Sequence, residues 1–286
     1  LNYRHQFHAG NFADVFKHAL LVQLIRALQR KEAGFLLVDT HAGRGGYDLA
    51  RAARGDALER RPEWPDGVGR LWAREDWPGG LGEYVAQVRA YDRAAGNLGT
   101  EPRFYPGSPA LAQRLLRPQD RLSLWELQPA ECAALRAQLG GSPGVSIHEA
   151  DGYGALRAAL PPRERRALVL IDPPFEAPDE WRRIEATLEE GLRRLPGAVC
   201  ALWYPLTVRA RPEGFVRGLA ELGRPTLDVE LVTDPAAEGL RGCGVAVVNP
   251  PWGFGAEART IAETLAAALG TDAPGRATLR WVTPPG

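Results

Sequence analysis

Methionine is absent from this 286-residue sequence, lysine appears only as Lys17 and Lys31, and cysteine only as Cys132, Cys200 and Cys243. Three cysteines, odd in number and far apart with no C-x-x-C spacing, exclude a disulfide framework and a structural zinc site. They predict reduced thiols in a cytoplasmic protein. No apolar run reaches the roughly 20 residues that a membrane-spanning helix needs, and the polar start LNYRHQFH lacks the apolar core of a secretory signal. Charge of one sign is not in excess either: 35 Lys and Arg offset 35 Asp and Glu, so no global field draws in a polyanion. Any contact with nucleic acid has to be local. The positive charge is almost all arginine and comes with 24 prolines, so the composition itself is biased and a single arginine signals little.

What is present is enough to bury a core: 45% of the residues are hydrophobic, which suits one domain, 1–286, carrying an insertion. Asn11 is placed to cap a helix over about 12–31, with Gly34 beyond its end. Short apolar runs follow at 35–40, 121–127, 144–151, 167–174, 198–205, 226–232 and 243–252. Helical spacing fills the gaps at about 129–139, 152–160, 178–195 and 212–223. This alternation predicts a Rossmann-like α/β fold with a mostly parallel, seven-stranded sheet whose ligands sit at the carboxyl ends of the strands. The run at 35–40 leads through the glycine-rich HAGRGG to a predicted helix start. Residues 50–104 break the rhythm. Turn-rich WPDG and WPGG and the helical YVAQVRAYDRAAG predict a small helical subdomain there, after which Ser108 caps a new helix with Pro109 at its first position.

In a parallel sheet the residues just past each strand face one crevice. Here they are Asp39 with its glycine turn, Glu126, Asp151 with Gly152, and Asp172. Taken singly, such acids are often helix N-caps, and for Asp151 the two readings weigh equally. The turn is not a dinucleotide fingerprint, because counting from Gly43 gives Gly45 and then Asp48 where a third glycine belongs. It suits a nucleoside cofactor without a pyrophosphate. Glu126 can accept two hydrogen bonds from a ribose diol, and Asp151 with the amide near Gly152 can read an adenine edge. Asp172-Pro173-Pro174-Phe175 is a stiff turn that presents a carboxylate and a carbonyl, since proline fixes φ and has no N–H. Two acceptors suit a primary amine such as adenine N6, with Phe175 stacked on the base. The amine can then attack a methyl sulfonium in line, with no metal.

The segments YRHQFHAGNFADVFKH, LLVDTHAGRGGY, YPGSPALAQRLL, LIDPPFE, ALWYP and VVNPPW closely resemble the RlmJ family, and the match spans nearly the whole chain. That resemblance implies a class I methyltransferase fold, S-adenosyl-L-methionine as cofactor, and methylation of N6 of one adenine in 23S ribosomal RNA, conventionally nucleotide 2030. It also implies cofactor contacts by Lys17, His18, His41, the turn at Gly43, Ser108, Glu126, Asp151, Gly152 and Asp172. Asp172, Pro173 and Phe175 hold the acceptor amine. Tyr3 lies in the stretch implicated in the RNA, and Arg4, Arg51, Arg54, Arg60 and Arg61 are local cations for phosphates. A metal-free monomer that does not engage a membrane is expected.

Three features compete with this picture. Asn249-Pro250-Pro251-Trp252 also fits an acceptor tetrad, but it ends the seventh strand rather than the fourth and reads as a structural turn. Lys17 lies on a helix apolar around most of its circumference, and a buried ammonium needs an anion. Asp14 or Asp39 can supply one, as can a cofactor carboxylate. His5 and His8 have H-x-x-H spacing without further ligands, which favours RNA contact or a polar network over zinc. Two other functions stay open. One is an amino-methyltransferase for DNA adenine, rRNA guanine or protein glutamine; the other is a non-catalytic nucleoside-binding module.

Overall fold

Eight strands form one sheet: β1 (Leu36–Asp39), β2 (Arg121–Glu126), β3 (Val145–Glu149), β4 (Ala167–Ile171), β5 (Val199–Thr207), β6 (Thr226–Val232), β7 (Leu240–Val248) and β8 (Arg276–Thr283). The computed structural model describes residues 5–53, 61–207, 212–237, 239–271 and 275–285. Strand order is β3-β2-β1-β4-β5-β7-β6-β8. Pairing is parallel from β3 to β5, and β7 runs antiparallel to both β5 and β6. The expected sheet is thus present with one strand more. β8 pairs antiparallel with β6 at the sheet edge, where most of its residues are half-buried or exposed. An edge strand has one unpaired side, so its sequence, RATLRWVT, carries little of the apolar run that marks the inner strands.

Period-two alternation splits the strands between two core layers. Leu168 and Leu170 of β4 face one layer, with Leu37 of β1 and Val245 of β7. Ala167, Val169 and Ile171 face the other, with Val38 and Cys200. The first layer is covered by helices α1 (Phe12–Gln29), α2 (Gly79–Ala94), α3 (Ser108–Leu115), α4 (Pro129–Leu139) and α6 (Phe254–Leu269). The second is covered by α5 (Glu180–Arg194) and the short helices Ala155–Ala159 and Pro212–Gly218.

α1 starts where expected. Asn11 caps it by accepting from the Asp14 amide at 2.9 Å. It packs against α2, α3 and α6, which buries Asp14, Lys17 and His18 along with its leucines. α2, within residues 50–104, contributes Leu81, Tyr84, Val85 and Val88 to the same core layer.

Two local expectations are corrected. The glycine turn leads not to a helix but to a short strand, Gly46–Asp48, paired antiparallel with Phe104–Pro106; the helix Leu49–Ala53 comes after it. Gly43 and Gly45, at φ of 61° and 88°, reverse the chain, and the buried Tyr47 anchors the ribbon. The cap of α3 is Gly107 rather than Ser108, which is the first helical residue, so its hydroxyl is available for another partner.

A buried polar cluster joins the antiparallel strands. The Tyr204 hydroxyl donates to Asp228 Oδ1 at 2.6 Å, with Glu230 Oε1 at 3.0 Å, and Arg280 Nη2 lies 2.9 Å from Asp228 Oδ2. Asp228 is 1% exposed, and burial, only partly offset by Tyr204 and Arg280, raises its carboxyl to about 6. Tyr204→Phe strips the hydroxyl that these two carboxylates share. It should destabilise the fold by about 1–3 kcal/mol in urea titration; an unchanged midpoint would mean that the hydroxyl contributes nothing net.

Candidate active site

Strand order reverses between β1 and β4, since β2 and β3 extend to one side and β5 to the other. A crevice therefore opens at the carboxyl ends of these strands. Asp39 ends β1, Glu126 ends β2, Asp151 follows β3 and Asp172 follows β4.

Lys17 crosses into this crevice from the first turns of α1. Its Nζ donates to Asp14 Oδ1 at 2.9 Å and to Asp172 Oδ2 at 2.5 Å, and the residue is 5% exposed. Burial opposes the charge, but the carboxylates of Asp14 and Asp172 outweigh it and raise the ammonium well above its ordinary value. Of the expected counter-ions Asp14 is confirmed, and the second is Asp172 rather than Asp39. Asp172 is followed by the buried Pro173 and by Phe175, which sits at φ 52° with its ring 4.6 Å from Trp181 and 5.9 Å from Trp203. Positive φ in a bulky residue is a strained conformation, and aromatic packing holds it.

The glycine turn wraps around Glu126. Gly43 donates its N–H to Oε2 at 2.8 Å, and Gln128 donates to Oε1 at 2.7 Å, so both oxygens are held in place. Burial raises this carboxyl and the two amides only partly offset it. Asp39 is 1% exposed and accepts from the Ser108 hydroxyl at 2.6 Å and the His41 amide at 3.2 Å. Burial, with some help from the charge on Asp172, pushes it to about 6 against these bonds. Burial also holds the His41 ring down to about 4, and so neutral. His18 is buried, with Nδ1 2.8 Å from the Tyr105 hydroxyl, which in turn lies 2.9 Å from that of Tyr84.

At the end of β3, Asp151 does cap a helical turn, accepting from the Tyr153 amide at 3.0 Å; its other oxygen binds Arg183 at 2.5 Å. Gly152 is required here because a Cβ would lie 1.7 Å from the Thr40 carbonyl. Tyr153 and Arg183 carry no local sequence signal but belong to this wall. The Arg183 guanidinium lies 3.9 Å from the Tyr153 ring centre, and His41 meets that ring edge-on at 5.1 Å. Cavities of about 220 Å³ beside Arg44, Tyr47 and Tyr91, and about 540 Å³ beside Trp64, Trp72 and Arg89, include none of the strand-end acids.

Asn249 lies at the opposite edge of the sheet. Its strand is antiparallel to β5 with Val248 opposite Cys200, and its amide donates to the Pro196 and Ala198 carbonyls at 3.0 and 2.8 Å. It is a strand-end turn far from Asp172. Tyr3, Arg4, Arg54 and Arg60 lie outside the described residues, whereas Arg51 and Arg61 are exposed. No cluster of three metal-ligating side chains occurs among the described residues, where His8 Nδ1 instead meets Glu63 at 2.8 Å. All three cysteines are free and buried, and no helix among the described residues is long and apolar enough to cross a membrane.

A family model described as "Ribosomal RNA large subunit methyltransferase D, RlmJ" matches residues 32–283. Two curated proteins, each called Ribosomal RNA large subunit methyltransferase J, come from Haemophilus influenzae and Escherichia coli K12. Both are 37% identical over 287 aligned positions, covering 99% of this chain and 99% of each relative. A Legionella pneumophila crystal structure superposes with a TM-score of 0.85 at 34% identity, over 96% of this chain and 98% of that one. A probable spermidine synthase from Corynebacterium glutamicum, at 0.50 and 12% identity over 93% and 74%, shares the fold alone.

The state of Asp39 is measurable. Its carboxyl holds a proton to about pH 6 when folded, against 3.8 for an ordinary Asp, so the folded chain binds more protons between these values and loses stability as pH rises through them. The stability of the wild type relative to Asp39→Asn should fall by roughly 2 kcal/mol from pH 4 to pH 6. Parallel pH–stability curves would show that folding does not raise the Asp39 carboxyl.

Proposed function

The chain belongs to the family of ribosomal RNA large subunit methyltransferases described as D and RlmJ, and from that premise we propose that it methylates N6 of one adenine in 23S rRNA, with S-adenosyl-L-methionine as donor. The cofactor supplies an electrophilic methyl group on a sulfonium.

The donor set fits that cofactor. Asp14, Asp39, Glu126, Asp151 and Asp172 outnumber Lys17 and Arg183, and an acidic crevice suits a sulfonium cation. Glu126 has each oxygen fixed by one backbone N–H and retains lone pairs for a ribose diol. Asp151 with the backbone at Gly152 forms the wall for the adenine of the cofactor. Two of the three Lys17 protons engage Asp14 and Asp172, and the third suits a carboxylate. Ser108 and His41 bond Asp39 at the end of β1, and His18, on the same helix as Lys17, lies beside Tyr105.

The observation that carries the proposal is the position of Asp172 at the end of β4, oriented by Lys17. Lys17 engages Oδ2, and Oδ1 with the Pro173 carbonyl forms the acceptor pair for the two protons of the substrate amine. Hydrogen bonding both protons favours a pyramidal nitrogen whose lone pair can attack. Phe175, held by Trp181 and Trp203, supports the base. The proton released after transfer passes to Asp172 or to solvent. Tyr3, Arg4 and the helical segment within 50–104, read as a subdomain, contact the RNA, and the protein acts as a monomer in the cytoplasm.

Unmodified 23S rRNA incubated with the protein and labelled cofactor should acquire one N6-methyladenine. Label in DNA or protein but not in rRNA would refute the substrate. Asp172→Ala should lower single-turnover transfer by roughly a hundredfold to ten-thousandfold while cofactor affinity changes far less. Asp172→Asn activity well above that of Ala indicates that orientation is the main role, whereas equal inactivity indicates proton acceptance. Asn249→Ala should transfer at the wild-type rate, and abolition there with Asp172→Ala active would mean that the acceptor tetrad is NPPW.

A further inference from the structure

Three bonds converge on Asp14, on the first turn of α1. Its amide donates to Asn11 Oδ1 at 2.9 Å, its Oδ2 accepts from the Gly10 amide at 3.1 Å, and its Oδ1 accepts from Lys17 Nζ at 2.9 Å. The residue is 3% exposed. Asn11 in turn donates its Nδ2 to Glu63 Oε2 at 2.8 Å, and Glu63 Oε1 meets His8 Nδ1. Backbone bonds run beside these side chains: Glu63 N to Phe7 O at 3.1 Å and Val68 N to Gly10 O at 2.8 Å. Gly67 packs so closely that a Cβ would lie 2.1 Å from the Gly10 carbonyl. Residues 7–11 and 63–68 are therefore one unit, and that unit ends on the carboxylate that holds Lys17.

We propose that Asp14 is a positioning residue for methyl transfer, which fixes Lys17 against Asp172 and ties that pair to the unit formed by residues 7–11 and 63–68. A lysine has four rotatable carbons, and one bond to Asp172 would leave its ammonium several arrangements. A second, buried carboxylate three residues earlier on the same helix selects the one that holds Asp172 in place. Asn11 keeps its own oxygen on the Asp14 amide because its NH₂ is engaged by Glu63. The Glu63 carboxylate is 45% exposed, so its ion pair with His8 contributes little to stability by itself. Its part is directional.

The two-lysine composition gives a direct test, because Lys31 is exposed and serves as an internal control for Lys17. Brief labelling of the folded protein with an amine-reactive reagent, read by mass spectrometry, should modify Lys31 and spare Lys17 in the wild type. In Asp14→Asn the labelling of Lys17 relative to Lys31 should rise at least about tenfold. In Glu63→Ala, a surface change that leaves the core intact, it should rise severalfold. Single-turnover transfer to rRNA at saturating cofactor and RNA, expressed per folded molecule, should fall about tenfold or more in Asp14→Asn, with RNA KM within about threefold. Restoring the carboxylate one methylene further out, in Asp14→Glu, should recover part of the rate. The transfer arm rests on the functional reading above, whereas the labelling arm does not: unmasked Lys17 in a protein that methylates no rRNA would overturn that reading and leave the positioning role standing. Lys17 equally protected in both variants, or unmasked with the transfer rate within twofold of wild type, would overturn the role of Asp14. So would a rate that falls only in proportion to the folded fraction.

Discussion

The ammonium of Lys17, buried between Asp14 and Asp172, is the contact on which the site depends. It joins the first helix to the end of the fourth strand, and removing one member would leave a buried charge uncompensated, a loss of about 3–5 kcal/mol in typical cases. The Asp172 carboxylate is thus held by the packing of α1 as well as by the loop that carries it. That loop is short and stiff, with two prolines and a positive-φ aromatic wedged on two tryptophans. Preorganisation of this kind suits a reaction in which an amine has to be aimed and no covalent intermediate forms.

The sheet decides which residues share the crevice. Parallel strands bring Asp39, Glu126, Asp151 and Asp172 to one edge, and the reversal of β7 sends Asn249 to the other. Two similar tetrads in one chain are therefore distinguished by strand direction. The one at the carboxyl edge meets Lys17, and the one at the amino edge ties the Pro196 and Ala198 carbonyls.

Much of this was legible because it rests on local rules. Apolar runs ending in acids mark buried parallel strands, and Asn11 and the α1 leucines mark a capped, buried helix. What stayed hidden depends on long-range pairing. Periodicity places Lys17 inside but cannot select a partner 155 residues away, and so Asp39 is named as a counter-ion from the sequence and Asp172 is not. Tyr153 and Arg183 enter the site only because α5 packs beside the turn after β3, and their spacing carries no mark of it. The ribbon after the glycine turn needs Phe104–Pro106, more than fifty residues on. The edge strand β8 is too polar to stand out.

The central claim is that Asp172 and Pro173 receive the substrate amine while Glu126 receives the cofactor ribose. A crystal structure of the protein with S-adenosylhomocysteine and adenosine tests it most directly. The account predicts the ribose diol on Glu126, the adenosine N6 within hydrogen-bonding distance of both Asp172 and the Pro173 carbonyl, and Lys17 still on Asp172. A nucleoside seated at Asn249, or an amine group turned away from Asp172 with the cofactor bound elsewhere than at Glu126, would contradict it.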